Sequence, residues 1–399
     1  MVVMRIACRS IGLTIAIAVA CASLTACSDS PDEATGGSGA TSSGPGSGAS
    51  GGAGASGGSG AQGGGPGVGG NGGTPVEPDE PPDLVFTEPP VDGLPDGVQF
   101  ADAVPYGPEE GQIMDVFLPA ASEPTAVVFF IHGGGFVEGS SSAAYSGSAA
   151  GLKAVLAAGI AWVGVDYRLL QDPGVETEGV IKSLEDSRRC LQFVRRWAEL
   201  FHIDPERVGV TGGSAGAGTS LWLAYHDDMA DPDSPNAWQR QSTRVTAAAV
   251  TSTQATYDVW RWAPDIFAPT YSFVSNDLLL SQAQLRAMLV RFYGLDGALV
   301  DDAEGIEAAL LTDDLVAYRA DVDMLALLTS DDPDTYVTNT APAADPTDAD
   351  FDLLHHPLHA MAVRDAADAA GTVFEADIPA YDVESPSETY GFLIERLAP

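Results

Sequence analysis

Three local patterns in this chain place residues that could do covalent chemistry. Ser214 lies in Gly212-Gly213-Ser214-Ala215-Gly216, a G-x-S-x-G preceded by the apolar "VGV" of Val208–Val210. A strand-to-helix turn that tight strains the central residue, and flanking glycines relieve the crowding. The serine hydroxyl is then projected above the sheet as a nucleophile. The Ala215 amide, at a helix N-terminus, would face a developing oxyanion. A second pattern, "HGGGF" (His132–Phe136), follows directly on the apolar run Ala126–Ile131. Glycines there let backbone N–H groups approach a substrate oxygen without Cβ interference. Gly133 and Gly134 are the candidate donors that complete the oxyanion hole with Ala215. The third pattern is "LLHHPLHAM", which holds His355, His356 and His359.

The elements that would position these residues alternate between short apolar runs and helix-period segments from about residue 84, the texture of a mostly parallel sheet flanked by helices. Gln112–Pro119 alternates like an early, partly exposed strand. Ala126–Ile131 and Ile160–Val165 are continuous apolar runs, as expected for strands buried on both faces. Ser148–Gly159 reads as a helix ending in glycine, and 180–201 carries a helical apolar stripe. Residues 246–251 read as another strand, and Thr335–Thr340 and Thr372–Ala380 as the last two. Helices are expected at 357–370 and 386–397. The irregular stretch 252–333, rich in Trp, Asp and Leu, reads as an insertion over the sheet's edge, a candidate helical cap. Its Trp260 and Trp262 could line an acyl or sugar pocket, although core packing is the commoner use of such rings.

"HGGGF", "VDYRL" (Val165–Leu169), "EDSRRCLQFVRR" (Glu185–Arg196) and "GGSAGAG" together resemble α/β-hydrolase-fold esterases and lipases. The resemblance is to the HGGG-bearing, hormone-sensitive-lipase-like group and related secreted carbohydrate-type esterases, and is specific over about residues 110–230. It implies an α/β-hydrolase fold, a Ser–His–Asp triad, hydrolysis of carboxylic esters, and no metal or organic cofactor. Carried onto this chain, it makes Ser214 the nucleophile, Gly133, Gly134 and Ala215 the oxyanion hole, and His132 structural. Gly213 departs from the acidic residue many relatives place before the serine.

The same resemblance puts the acid after the penultimate strand and the histidine after the last. Asp345 is the nearest match for the acid, with Asp348 and Asp350 as rivals. No histidine follows Thr372–Ala380, because the last one in the chain is His359. His202 lies before the nucleophile strand, on the far side of the sheet. His226 is too far down the nucleophile helix at about 1.5 Å per residue. Pro357 suits a first helical turn, which puts His356 near the N-cap and His355 just before it, with His359 one turn inside. A helix starting there begins at the carboxyl edge of the sheet, where open α/β folds place their sites. His356 and His355 are therefore the candidate bases, supported by an acid from 345–352. If none of them serves, the chain would be a degenerate binding protein that keeps the fold and pocket without the base.

The N-terminal region reads differently. Arg5 and Arg9 precede an apolar run, Ile11 to Val19, too short to span a bilayer core of about 30 Å. It closes with "LTAC", which resembles a bacterial lipobox and implies cleavage after residue 26 and lipidation of Cys27. Residues 27–83 are rich in Gly, Ser and Pro and are expected to form a disordered tether. About 50 such residues would span on the order of 40 Å. The folded domain is expected over 84–399, held outside the cytoplasm at the cell envelope. Of four cysteines only Cys27 and Cys190 would remain, and with Cys27 acylated no structural disulfide is expected. The net charge of −38 leaves no basic stripe for phosphates, which excludes nucleic acid as a partner class. The expected partners are a small-molecule, carbohydrate or lipid ester and, through Cys27, a membrane.

Overall fold

The computed structural model describes residues 79–146 and 149–399. The segment 1–26, expected to be a lipoprotein signal peptide, Cys27 and the expected tether as far as residue 78 lie outside them. Among the described residues nine strands form one sheet: β1 (Phe86–Thr87), β2 (Gln99–Pro105), β3 (Ile113–Leu118), β4 (Thr125–Ile131), β5 (Ala161–Val165), β6 (Ile203–Gly213), β7 (Ala247–Thr251), β8 (Asp334–Thr338) and β9 (Phe374–Asp377). Their order is β1-β2-β3-β5-β4-β6-β7-β8-β9. The pairings β1/β2, β2/β3 and β3/β5 are antiparallel, and all later ones are parallel. Registers Ile131↔Gly212, Gly213↔Thr251 and Thr251↔Thr338 bring the carboxyl ends of β4, β6, β7 and β8 to one edge.

The period-two alternation of the strands divides the core between the two faces of the sheet. On one face Val127, Phe129, Val163, Val210, Ala248 and Val337 pack under α2 (Ile181–Arg196), α3 (Ala215–Tyr225) and α9 (Leu358–Ala370). On the other, Val128, Trp162, Ala247, Ala249 and Tyr336 meet α1 (Ala150–Ala157) and α10 (Thr389–Arg396) through Leu152, Val155, Phe392 and Leu393. Each fully buried Val, Leu or Phe among these stabilises the fold by about 1.5–3 kcal/mol relative to its exposure to water. Cys190 is buried and free, a small hydrophobe of α2.

One expectation changes. β3 is interior and almost wholly buried, because β2 covers the edge that Gln112–Pro119 seemed to expose. The sequence hides β2: Ala103 has φ +49° and the register shifts between Ala101 and Val104, which breaks the alternation. The stretch 252–333 is helical. It carries a short 3₁₀ turn (Val259–Arg261), a π turn (Trp262–Phe267), five helices α4–α8 (Asn276–Leu280, Ala283–Phe292, Ala303–Leu310, Asp313–Asp321, Met324–Leu327) and a second 3₁₀ turn at Gly297–Asp301. Most are too short to show a clear period. The insertion joins β7 to β8 and packs on α3, where Trp222 Nε1 donates to the Asp321 carbonyl at 2.8 Å and the Tyr257 hydroxyl donates to the Ala215 carbonyl. Among the described residues no helix is long and apolar enough to cross a membrane.

Candidate active site

Ser214 stands between the end of β6 and the first residue of α3, with φ +54° and ψ −122°. That conformation is strained for a residue with a Cβ, by about 1–3 kcal/mol, and the surroundings enforce it. The Ser214 amide donates to the Thr251 carbonyl at 3.1 Å, and its own carbonyl accepts from Ala217 and Gly218 at 2.9 and 3.1 Å. The turn also needs close backbone approach, since a Cβ on Gly216 would lie 1.9 Å from the Ile131 carbonyl oxygen. Ala215 opens α3, so its N–H has no intrahelical acceptor.

The glycine loop after β4 runs beside this turn. A Cβ on Gly133 would meet the Gly213 carbonyl at 2.8 Å and the Ser214 Cβ at 3.4 Å. Gly134 takes φ +102° where a Cβ would collide with the Glu138 carbonyl. His132 is buried under the loop and stacks on Tyr167, with centroids 4.2 Å apart. Its Nδ1 bonds the Gly133 carbonyl at 2.7 Å, while burial pulls its pKa down to about 4. It is a neutral support for the loop.

The connection between β8 and α9 brings a histidine to Ser214. Ser214 Oγ lies 2.8 Å from His355 Nε2, and His355 Nδ1 lies 2.7 Å from Asp352 Oδ2. An ionised carboxylate only accepts, so the proton sits on Nδ1 and the Nε2 lone pair faces the serine hydroxyl. Asp352 also accepts from the backbone amides of Leu354 and His355, at 2.9 and 3.2 Å. Burial alone would raise its pKa. The bond and electrostatic attraction to the His355 imidazole and the two amides outweigh that and hold the carboxyl below the ordinary value.

His356 and Asp345 are corrected by this geometry. His356 is buried, its Nε2 donating to the Ala344 carbonyl at 3.1 Å and its Nδ1 accepting from the Leu358 amide at 3.1 Å. Phe267, Tyr271 and Phe351 surround its ring. Both nitrogens are spent on the backbone and none faces Ser214. Asp345 closes a local turn, accepting from the Thr347 amide and hydroxyl at 2.9 and 2.6 Å. Asp348 and Asp350 are exposed. Asp352 lies inside the interval expected to supply an acid, and its spacing D-x-x-H before His355 was the available signal. His202 is exposed, and His226 pairs with Asp321 at 3.2 Å. Trp262 is core, with Nε1 bonded to the Thr256 carbonyl and its ring against His359. Trp260 borders a small apolar cavity with Val259, Leu279, Leu289 and Leu353. Among the described residues no group of His, Cys, Asp or Glu is arranged to hold a metal ion.

Comparison with known proteins places these elements in a wider set. A solved structure described as a truncated form of a carbohydrate esterase from gut microbiota superposes with a TM-score of 0.51 at 16% identity, over 75% of this chain and 96% of that one. The fold is an α/β-hydrolase fold. Within it, the BD-FAE family model matches residues 114–290, a little under half of the chain. That span holds the glycine loop and Ser214 but ends before Asp352 and His355. The carboxylesterase patB of Penicillium expansum is 34% identical over 139 residues, 30% of this chain and 25% of that protein. Lipase 2 of Geotrichum candidum is 34% identical over 119 residues, 27% of this chain and 21% of that protein. The chain thus spans about a quarter of the length of these curated relatives. In the strand order of this fold, Asp352 and His355 both follow β8, and the connection after β9 supplies no histidine.

Proposed function

We propose that this protein is a serine-dependent carboxylic ester hydrolase. The observation that carries the reading is the continuous hydrogen-bonded line from Ser214 through His355 to Asp352. In the proposed reaction Ser214 Oγ attacks the ester carbonyl carbon as its proton passes to His355 Nε2. The carbonyl oxygen becomes an oxyanion held by the amides of Gly133, Gly134 and Ala215. The C–O bond to the alcohol then breaks, and the alcohol leaves with the proton from His355. Water attacks the acyl-serine by the reverse transfers, releasing the acid and restoring Ser214. Asp352 keeps Nδ1 protonated and offsets the imidazolium charge in both halves.

The homology to an esterase and a lipase supports an ester substrate. The carbohydrate esterase among the structures of the same fold makes an acylated sugar one candidate, alongside lipid and small-molecule esters. The absence of a histidine after β9 no longer favours a degenerate binding protein, because His355 reaches the serine from another connection. Lipid anchoring at Cys27, at the cell envelope, completes the proposal and rests on the "LTAC" ending and the tether composition.

The test is hydrolysis of 4-nitrophenyl acetate together with fluorophosphonate labelling. Turnover with label on Ser214, both lost in Ser214→Ala, is expected. A folded wild type that neither turns over nor takes label would overturn the reading. For the anchor, the wild type should incorporate radiolabelled palmitate in a bacterial host and Cys27→Ser should not.

A further inference from the structure

The connection that carries Asp352 and His355 has little regular structure, yet its peptide groups are held from outside by three other parts of the fold. The Leu353 carbonyl accepts from His359 Nε2 at 3.0 Å, and His359 belongs to α9. The Leu354 carbonyl accepts from Gln254 Nε2 at 2.8 Å, from the segment just after β7. The His355 carbonyl accepts from Asn339 Nδ2 at 2.9 Å, from the residue just after β8. His359 and Asn339 are fully buried and Gln254 is 6% exposed.

Two of the donors are themselves oriented. The Ala255 amide donates to His359 Nδ1 at 3.2 Å, so that nitrogen carries no proton and Nε2 must be the donor. Asn339 Oδ1 accepts from the Ala341 amide at 2.9 Å, and its backbone amide bonds the Asp377 carbonyl of β9 at 2.9 Å. On the opposite side of the same peptides, the amides of Leu354 and His355 go to Asp352. Three consecutive carbonyls and two amides are thus committed, leaving the connection little freedom to slide. A base on β9 would inherit rigidity from the sheet, whereas a base on this connection must have it supplied.

We propose that Gln254, Asn339 and His359 are positioning residues for the general base. Together they clamp the carbonyls of residues 353–355 and so keep His355 in line with Ser214. The proposal rests on the reading of Ser214, His355 and Asp352 as the reacting groups. Misplacing a catalytic group by about 1 Å can lower turnover about 100-fold without altering ground-state binding.

The test uses the full chain and 4-nitrophenyl acetate, with Gln254→Met, Asn339→Leu and His359→Leu compared with His359→Gln, which retains one donor and one acceptor. Folded variants lacking a donor should lose about 10–100-fold in kcat with KM within about twofold, and His359→Gln should recover most of the loss. Folded Gln254→Met and His359→Leu with wild-type kcat, while His355→Ala is inactive, would overturn the clamp and leave the catalytic reading standing. His355→Ala with wild-type turnover would overturn both. If the leucine variants fail to fold, ¹⁵N imidazole NMR of the wild type decides. A neutral His359 protonated on Nε2, with a slowly exchanging proton, is expected; protonation on Nδ1 overturns the clamp.

Discussion

Asp352 and His355 stand three residues apart on one connection, with carboxylate and imidazole 2.7 Å apart. The proposed acid and base are therefore one local unit, joined to the proposed nucleophile only across the sheet edge, where His355 Nε2 meets Ser214. This arrangement separates the neighbouring histidines sharply. His355→Ala should lower kcat by roughly 10⁴-fold or more. His356→Ala should act on stability, since it removes a buried ring bonded to Ala344. Steady-state rates and melting temperatures for the pair check this. Equal losses of kcat in two equally stable variants would contradict it.

Asp352→Asn replaces an acceptor with an amide that no longer dictates which imidazole nitrogen carries the proton. A loss of kcat on the order of 10³-fold is expected. Asp345→Asn should leave kcat near wild type, because that carboxylate serves only the Thr347 turn. Parallel kinetics on both variants distinguish the two aspartates.

Gly133→Ala tests the proposed oxyanion loop. Its methyl would sit 2.8 Å from the Gly213 carbonyl, so the glycine loop and the nucleophile turn must part. The expected loss is about 10²–10³-fold in kcat, comparable to losing one oxyanion donor. Fluorophosphonate labelling should slow in proportion, since that reaction needs the same hole.

Buried histidines make stability depend on pH. Burial lowers His359 from 6.5 to about 3, so between those values the unfolded chain takes up a proton that the folded one refuses. Its favourable contribution is complete above about pH 6.5 and is lost as the pH falls toward 3. His132, lowered to about 4, acts in the same direction. Each can remove up to about 1.4 kcal/mol per pH unit within its window. In urea titrations at about pH 7.5, 6 and 5, the wild type should lose stability on acidification relative to His359→Gln. A difference between them that does not change with pH would show that His359 is not held neutral.

The nucleophile turn and the glycine loop were legible in the sequence because both are local devices. A strained strand-to-helix turn and a backbone loop free of Cβ atoms need glycine at fixed offsets from an apolar strand, and those offsets are written in the chain order. The parallel strands and their helices were legible for the same reason, as periodicities within single segments. The partners of Ser214 were not. His355 and His356 are adjacent and equally able in composition to serve. Only packing decides that His356 turns inward among Phe267, Tyr271 and Phe351 while His355 reaches Ser214. Sequence distance from β8 points to Asp345 and not to Asp352, because it says nothing about where a loop's carboxylates point. The carbonyl bonds from Gln254, Asn339 and His359 span up to 100 residues of chain, and such pairings exist only once the sheet has brought the ends of β7 and β8 together.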